Sequence, residues 1–99
     1  MTARLSFDRA ALTALCRRRH IRRLSLFGSA LKGTARPESD IDLLVEFVPG
    51  KEPGLLGLAG IEAELSKLLG RPVDLRTAQD LSEHFRDEVL RTAEVQYAA

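Results

Sequence analysis

The chain has 99 residues, a formal net charge of +1 and one cysteine, which bounds it to a single small domain, expected to span residues 1–99, burying about two thirds of its unfolded surface. The near-neutral charge gives no overall bias toward nucleic acid, the lone Cys16 excludes an internal disulfide or a cysteine metal cluster, and no stretch approaches the roughly 18 apolar residues of a membrane span. With 44% hydrophobic and 29% charged residues the composition is that of an ordinary globular protein, and the start, MTARLSFDRA, lacks the apolar core of a signal peptide, so the expected location is the cytoplasm.

A first helix is predicted from an N-cap at Ser6, with Ala11, Leu12, Leu15 and Cys16 on one face. Asp8 in its first turn and Arg17, Arg18 and Arg19 in its last suit the helix dipole. Cys16 reads as a small core residue. The stretch from Arg17 to Arg23 holds five arginines and His20. Its plain reading is a solvated helix end, and its functional reading a contact surface for an acidic partner or phosphates. No aromatic residue is interleaved, which argues against direct single-strand nucleic-acid binding.

Ile21 to Phe27 is predicted as the first strand, with Ile21, Arg23 and Ser25 on one face and Arg22, Leu24 and Leu26 on the other. Its burial is expected mainly at the C-terminal end. Ser29 to Lys32 fits one helical turn ended by Gly33, and Thr34 to Ser39 fits a loop. Ile41 to Val48 is the second strand, and its continuous apolar core implies burial on both faces. Leu55 to Leu69 is the clearest amphipathic helix. Leu58, Ile61, Leu65 and Leu68 form its buried face, Glu62, Glu64 and Lys67 lie outside, and Gly70 follows as the terminating glycine. A short strand, Val73 to Leu75, precedes a loop over Thr77 to Asp80. Ser82 then caps a last helix to about Ala93, with Leu81 as a staple residue and Phe85 and Val89 facing the core.

The chemistry concentrates between Leu24 and Phe47. Asp40 and Asp42 lie two apart at the head of a strand, so their side chains share a face. Adjacent carboxylates repel, and a divalent cation supplies the missing charge; hard oxygen ligands suit Mg²⁺. Gly28 allows a sharp turn at the end of the preceding strand. With Ser29 opening a short helix, free N–H groups and a hydroxyl would stand beside the carboxylates and hold a phosphate. A phosphate cradle next to a carboxylate pair equips a site for phosphoryl or nucleotidyl transfer.

Gly28-Ser29, a ten-residue spacer and Asp40-x-Asp42 resemble the signature of the nucleotidyltransferase (DNA polymerase beta-like) superfamily. The flanking text, Phe27-Gly28-Ser29 through Ala35-Arg36-Pro37 to Ser39-Asp40-Ile41-Asp42-Leu43-Leu44-Val45, is similar more narrowly to the minimal nucleotidyltransferase (MNT) antitoxins paired with HEPN toxins. That resemblance implies an α/β, polymerase beta palm-like fold: a small mixed β-sheet carrying three aspartates, with helices packed on one face. It implies transfer of AMP from ATP, with Mg²⁺, to a hydroxyl of a cognate HEPN ribonuclease toxin, a tyrosine in the paired systems, within a hetero-oligomer. Asp40 and Asp42 would be metal ligands. Asp74, by sequence alone an ordinary strand-end aspartate, becomes the third catalytic and metal-binding carboxylate. Gly28 and Ser29 would bind the nucleotide phosphates. Lys32 is assigned to them as well, against the alternative of a solvated lysine.

The chain departs from the resemblance at one point. Family members often read Gly-Ser-Arg-Ala-Arg-Gly, where this chain reads Gly28-Ser29-Ala30-Leu31-Lys32-Gly33. Lysine keeps a point charge and loses the arginine fork. Arg36 is a candidate to compensate. Two other readings stand beside the enzyme: a non-catalytic antitoxin that masks its toxin by binding, and a small-molecule nucleotidyltransferase of the aminoglycoside-modifying kind. The latter relatives carry an acceptor-binding domain for which 99 residues leave little room.

Overall fold

The computed structural model describes residues 7–28 and 40–99. The expectations for Ser6, for the turn over residues 29–33, for the loop over residues 34–39, and for Ser29, Lys32 and Arg36 lie outside the described residues. Helix α1 spans Arg9–Arg18, and its N-cap is Asp8, whose carboxylate accepts from the N–H groups of Ala10 and Ala11 at 2.9 and 3.3 Å. Aspartate at this position satisfies the orphan donors of the first turn and adds a favourable charge. His20 turns the chain with a positive φ of 59° into strand β1, Ile21–Phe27. Strand β2 spans Ile41–Phe47, helix α2 Leu55–Leu69, strand β3 Val73–Arg76 and helix α3 Glu83–Thr92. A final strand, β4, spans Glu94–Ala98.

The four strands form one mixed sheet in the order β3-β2-β1-β4. β1 runs antiparallel to both β2 and β4, whereas β2 and β3 are parallel. A parallel neighbour needs a long crossover, and α2 supplies it. The apolar residues of the strands then divide between two faces. Ile21, Leu24 and Leu26 of β1, Ile41, Leu43 and Val45 of β2, and Val73 and Leu75 of β3 pack with Leu12, Leu15 and Cys16 of α1 and with Ile61 and Leu65 of α2. Phe27 and Leu44 point the other way and meet Leu81 and Val89 of α3 in a smaller cluster. α1 and α2 therefore cover one face, and α3 reaches over part of the aspartate-bearing face.

Strict alternation in β1 does not hold. Its register against β2 shifts between Ile21 and Arg23, and one extra residue in a strand moves what precedes it to the opposite face. Ile21 consequently joins Leu24 and Leu26 in the main core instead of siding with Arg23 and Ser25. The expectation of burial at the C-terminal end stands, with Leu24 to Phe27 all buried.

Cys16 is fully buried and burial pushes its thiol up to about 12, the behaviour of an inert core side chain. Gly70 ends α2 with φ 69°. Phe85 is a correction: it is 45% exposed and lies edge-on against Phe27, ring centroids 6.3 Å apart, while Val89 alone carries the buried stripe of α3. The segment expected as a loop at Thr77 to Asp80 contains a 3₁₀ turn, Ala78–Asp80.

Candidate active site

Two strand ends and one glycine build the site. In the parallel β2–β3 ladder Asp42 stands directly beside Asp74, and across the antiparallel ladder it faces Phe27. Gly28 follows Phe27 with φ 78°, a conformation that side chains resist, and a Cβ placed there would collide with the Asp42 carboxylate, lying 3.1 Å from its Cγ. The glycine is required twice, for its backbone and for the space it leaves. Asp40 sits one position before β2 and is exposed. The three aspartates expected at the site thus arrive together at one end of the sheet.

Asp42 is the electrostatic centre. Its carboxyl is pushed above the usual carboxylate range, first by burial, then by the charges of Asp74 and Asp40; Arg76 pulls the other way. A group crowded in this manner favours a counter-cation. Among the described residues no three acidic, histidine or cysteine side chains form a ready-made metal cluster. Mg²⁺, however, usually takes one or two protein carboxylates and completes its shell with water and substrate phosphates. A carboxylate pair, a neighbouring third carboxylate and an open glycine cradle fit that donor set.

Sequence reasoning missed Arg76. It is the last residue of β3, two beyond Asp74 and on the same face. Its Nε donates to Asp74 Oδ1 at 3.1 Å and its Nη2 to Oδ2 at 3.2 Å, a two-pronged pair. The available signal was the Asp-x-Arg spacing on a strand. Both side chains line a cleft of about 340 Å³ together with Phe27, Gly28, Asp42, Asp80, Leu81, Ser82 and Phe85.

Supporting contacts hold the frame. The N–H groups of Val73 and Leu75 donate to Ser66 Oγ and Glu62 Oε2 at 2.9 and 2.8 Å, so the outer edge of β3 is closed by side chains of α2. Glu62, expected outside, faces this edge and is half-buried. Asp80 accepts from the Thr77 N–H and hydroxyl at 3.0 and 3.1 Å, and the Thr77 N–H bond holds its carboxyl below the usual range. Arg86 of α3 donates to the carbonyls of Ala78 and Leu81 at 2.6 and 3.1 Å, fixing the turn that walls the cleft. The arginine-rich stretch is engaged with glutamates: Arg18 and Arg19 clamp Glu64 of α2, and Arg22 and Arg23 flank Glu46, each at 3.5 Å.

A family model for the nucleotidyltransferase domain matches residues 9–95. The chain belongs to the nucleotidyltransferase family. It is 39% identical over 71 residues to the protein adenylyltransferase MntA of Thermococcus cleftensis, covering 72% of this chain and 70% of that protein. A Methanocaldococcus jannaschii protein with a provisional protein adenylyltransferase name is 38% identical over 73 residues, or 74% of this chain and 76% of that one. A solved structure provisionally described as a minimal nucleotidyltransferase superposes with a TM-score of 0.70 at 41% identity, over 86% of this chain and 85% of the other. Two more distant structures share the fold. One is a toxin–antitoxin crystal structure with AMP-PNP, at TM-score 0.73 and 21% identity over 93% of this nucleotidyltransferase and 74% of the matched chain. The other is a tri-AMPylated Shewanella oneidensis HEPN toxin in complex with an MNT antitoxin, at 0.63 and 18% over 92% and 70%. No described helix of this nucleotidyltransferase is long and apolar enough to cross a membrane.

Proposed function

We propose that this chain is a Mg²⁺-dependent protein adenylyltransferase that moves AMP from ATP onto a hydroxyl of a cognate HEPN toxin, and thereby acts as its antitoxin in the cytoplasm. The observation that carries the reading is the side-by-side placement of Asp42 and Asp74 on parallel strands against the Gly28 turn. The names of the relatives supply the rest of its support: MntA is a protein adenylyltransferase, and two of the structural neighbours are toxin–antitoxin complexes, one with an ATP analogue and one with an AMPylated toxin.

In this reading the chain contributes position and charge. Asp40 and Asp42, with Asp74 beside them, would hold Mg²⁺, which supplies charge neutralisation at the triphosphate. Gly28 and Ser29 would receive the β and γ phosphates through backbone N–H groups and a hydroxyl, so that pyrophosphate departs into a site already matched to its charge. Lys32 would add a point charge there. Asp74 would orient the acceptor hydroxyl, a tyrosine by the resemblance, and take its proton on a carboxylate oxygen as the bond to the α-phosphorus forms. The added phosphodiester brings negative charge and bulk to a ribonuclease that must bind RNA phosphates.

Replacing Asp40 and Asp42 together by Asn tests the chemistry. The doubly substituted protein should still fold and bind the toxin, yet fail to neutralise its ribonuclease activity in a cleavage assay. Full neutralisation by that variant would mean that the chain acts by masking.

A further inference from the structure

The cleft contains one basic side chain among its described lining residues, Arg76, and three acidic ones, Asp42, Asp74 and Asp80. Asp80 is already engaged by Thr77. The guanidinium is committed to Asp74 through both of that carboxylate's oxygens. A carboxylate held in this manner has its charge offset and half its lone pairs used, which makes it a weaker metal ligand. Among the described lining residues, a polyanionic nucleotide brought to the same cleft would meet more acidic side chains than basic ones. Both difficulties involve the same side chain.

We infer that Arg76 is an exchangeable counter-ion, paired with Asp74 when no nucleotide is bound and transferred to the nucleotide's phosphates when one arrives, so that Asp74 becomes available only with substrate in place. The inference rests on the proposed nucleotidyl-transfer reading of this cleft. Three features favour exchange over a fixed structural pair. The Arg76 side chain is 47% exposed, so it swings without disturbing the core. An exposed ion pair is weak in water and readily out-competed by a stronger anion. The planar fork that matches a carboxylate matches two phosphate oxygens equally well. The short spacing along β3 keeps the guanidinium within the cleft in either state. Metal and nucleotide binding become coupled as a result: the full carboxylate set opens to the cation as the nucleotide takes the arginine.

The experiment uses Mn²⁺ as the metal probe and AMP-PNP as the nucleotide, titrated calorimetrically into wild type, Arg76→Ala and Arg76→Lys, with thermal melts confirming that all three fold. Removing the guanidinium should tighten Mn²⁺ binding in the absence of nucleotide and weaken Mn²⁺·AMP-PNP binding, each by roughly tenfold, the scale of a lost charge-assisted hydrogen-bond pair. Lysine should fall between, since it keeps the charge and loses the fork. Changes of both affinities in the same direction, or in neither, would overturn the exchange while leaving the nucleotide site standing. A wild-type protein that binds neither Mn²⁺ nor Mn²⁺·AMP-PNP would overturn the nucleotidyl-transfer reading itself, and the inference with it.

Discussion

Gly28 and Gly70 separate two reasons for a glycine. Both have positive φ, 78° and 69°, but a Cβ at Gly70 meets open space whereas one at Gly28 strikes Asp42. Gly70→Ala should therefore cost about 1 kcal/mol of stability, the ordinary penalty of a left-handed alanine, with the transfer rate unchanged. Gly28→Ala should cost a similar amount of stability and in addition displace the Asp42 carboxylate, lowering the adenylylation rate about 10²-fold. Urea unfolding and single-turnover rates on both variants check the pair. At this scale the motif Gly28…Asp40-x-Asp42 was legible because the chemistry demands those residue types at that spacing. Arg76 was not legible, since a lone arginine after Val-Asp-Leu gains meaning only once the parallel pairing of β2 and β3 sets Asp74, its ion-pair partner, beside Asp42.

Elements place the residues, and α2 does most of this work. Its apolar stripe at Ile61 and Leu65 is buried, as a 3.6-residue period requires, while its polar face makes two connections that periodicity does not reveal. Through Glu62 and Ser66 it closes the free edge of β3, an otherwise exposed row of donors. Glu62→Ala should leave the Leu75 N–H unsatisfied and cost about 1–2 kcal/mol in urea unfolding, while Glu62→Gln, which keeps an acceptor, should cost much less. Through Glu64 it ties α2 to the end of α1. Hydrogen bonds from Arg18 and then Arg19 hold the Glu64 carboxyl below the usual range. A group whose folded value lies below its unfolded one stabilises fully above the ordinary glutamate value, 4.5, and loses that contribution as pH falls through the folded value. For so exposed a pair the contribution is below about 1 kcal/mol. The melting temperatures of wild type and Glu64→Gln should thus differ at pH ~7 and draw together as the pH falls below the ordinary glutamate value. Helix and strand positions followed from pattern and caps, with two failures of local reasoning. The bulge in β1 resets the side-chain alternation, and β4 follows α3 with only Ala93 between, a five-residue strand whose existence depends on β1 offering an open edge.

At the scale of the whole molecule, the sheet faces divide labour. α1 and α2 stabilise one face with the large core, and the other face exposes strand ends to solvent beneath a partial roof from α3. The cleft of about 340 Å³ is at the lower end of the size of small-molecule sites. An acceptor delivered on a partner protein is consistent with that division. The fold class and the Asp40-x-Asp42 pair were readable because both follow from local text, whereas Asp74 entered only through the family resemblance. The partner is not readable in the same way, since it is recognised by surfaces that side-chain patterning does not mark.

The most direct test is the intact mass of the HEPN partner after incubation with this chain, ATP and Mg²⁺. The account predicts a gain of one or more AMP units that is absent with the Asp40→Asn/Asp42→Asn variant. An unchanged mass in a partner that is nevertheless bound and silenced would contradict it.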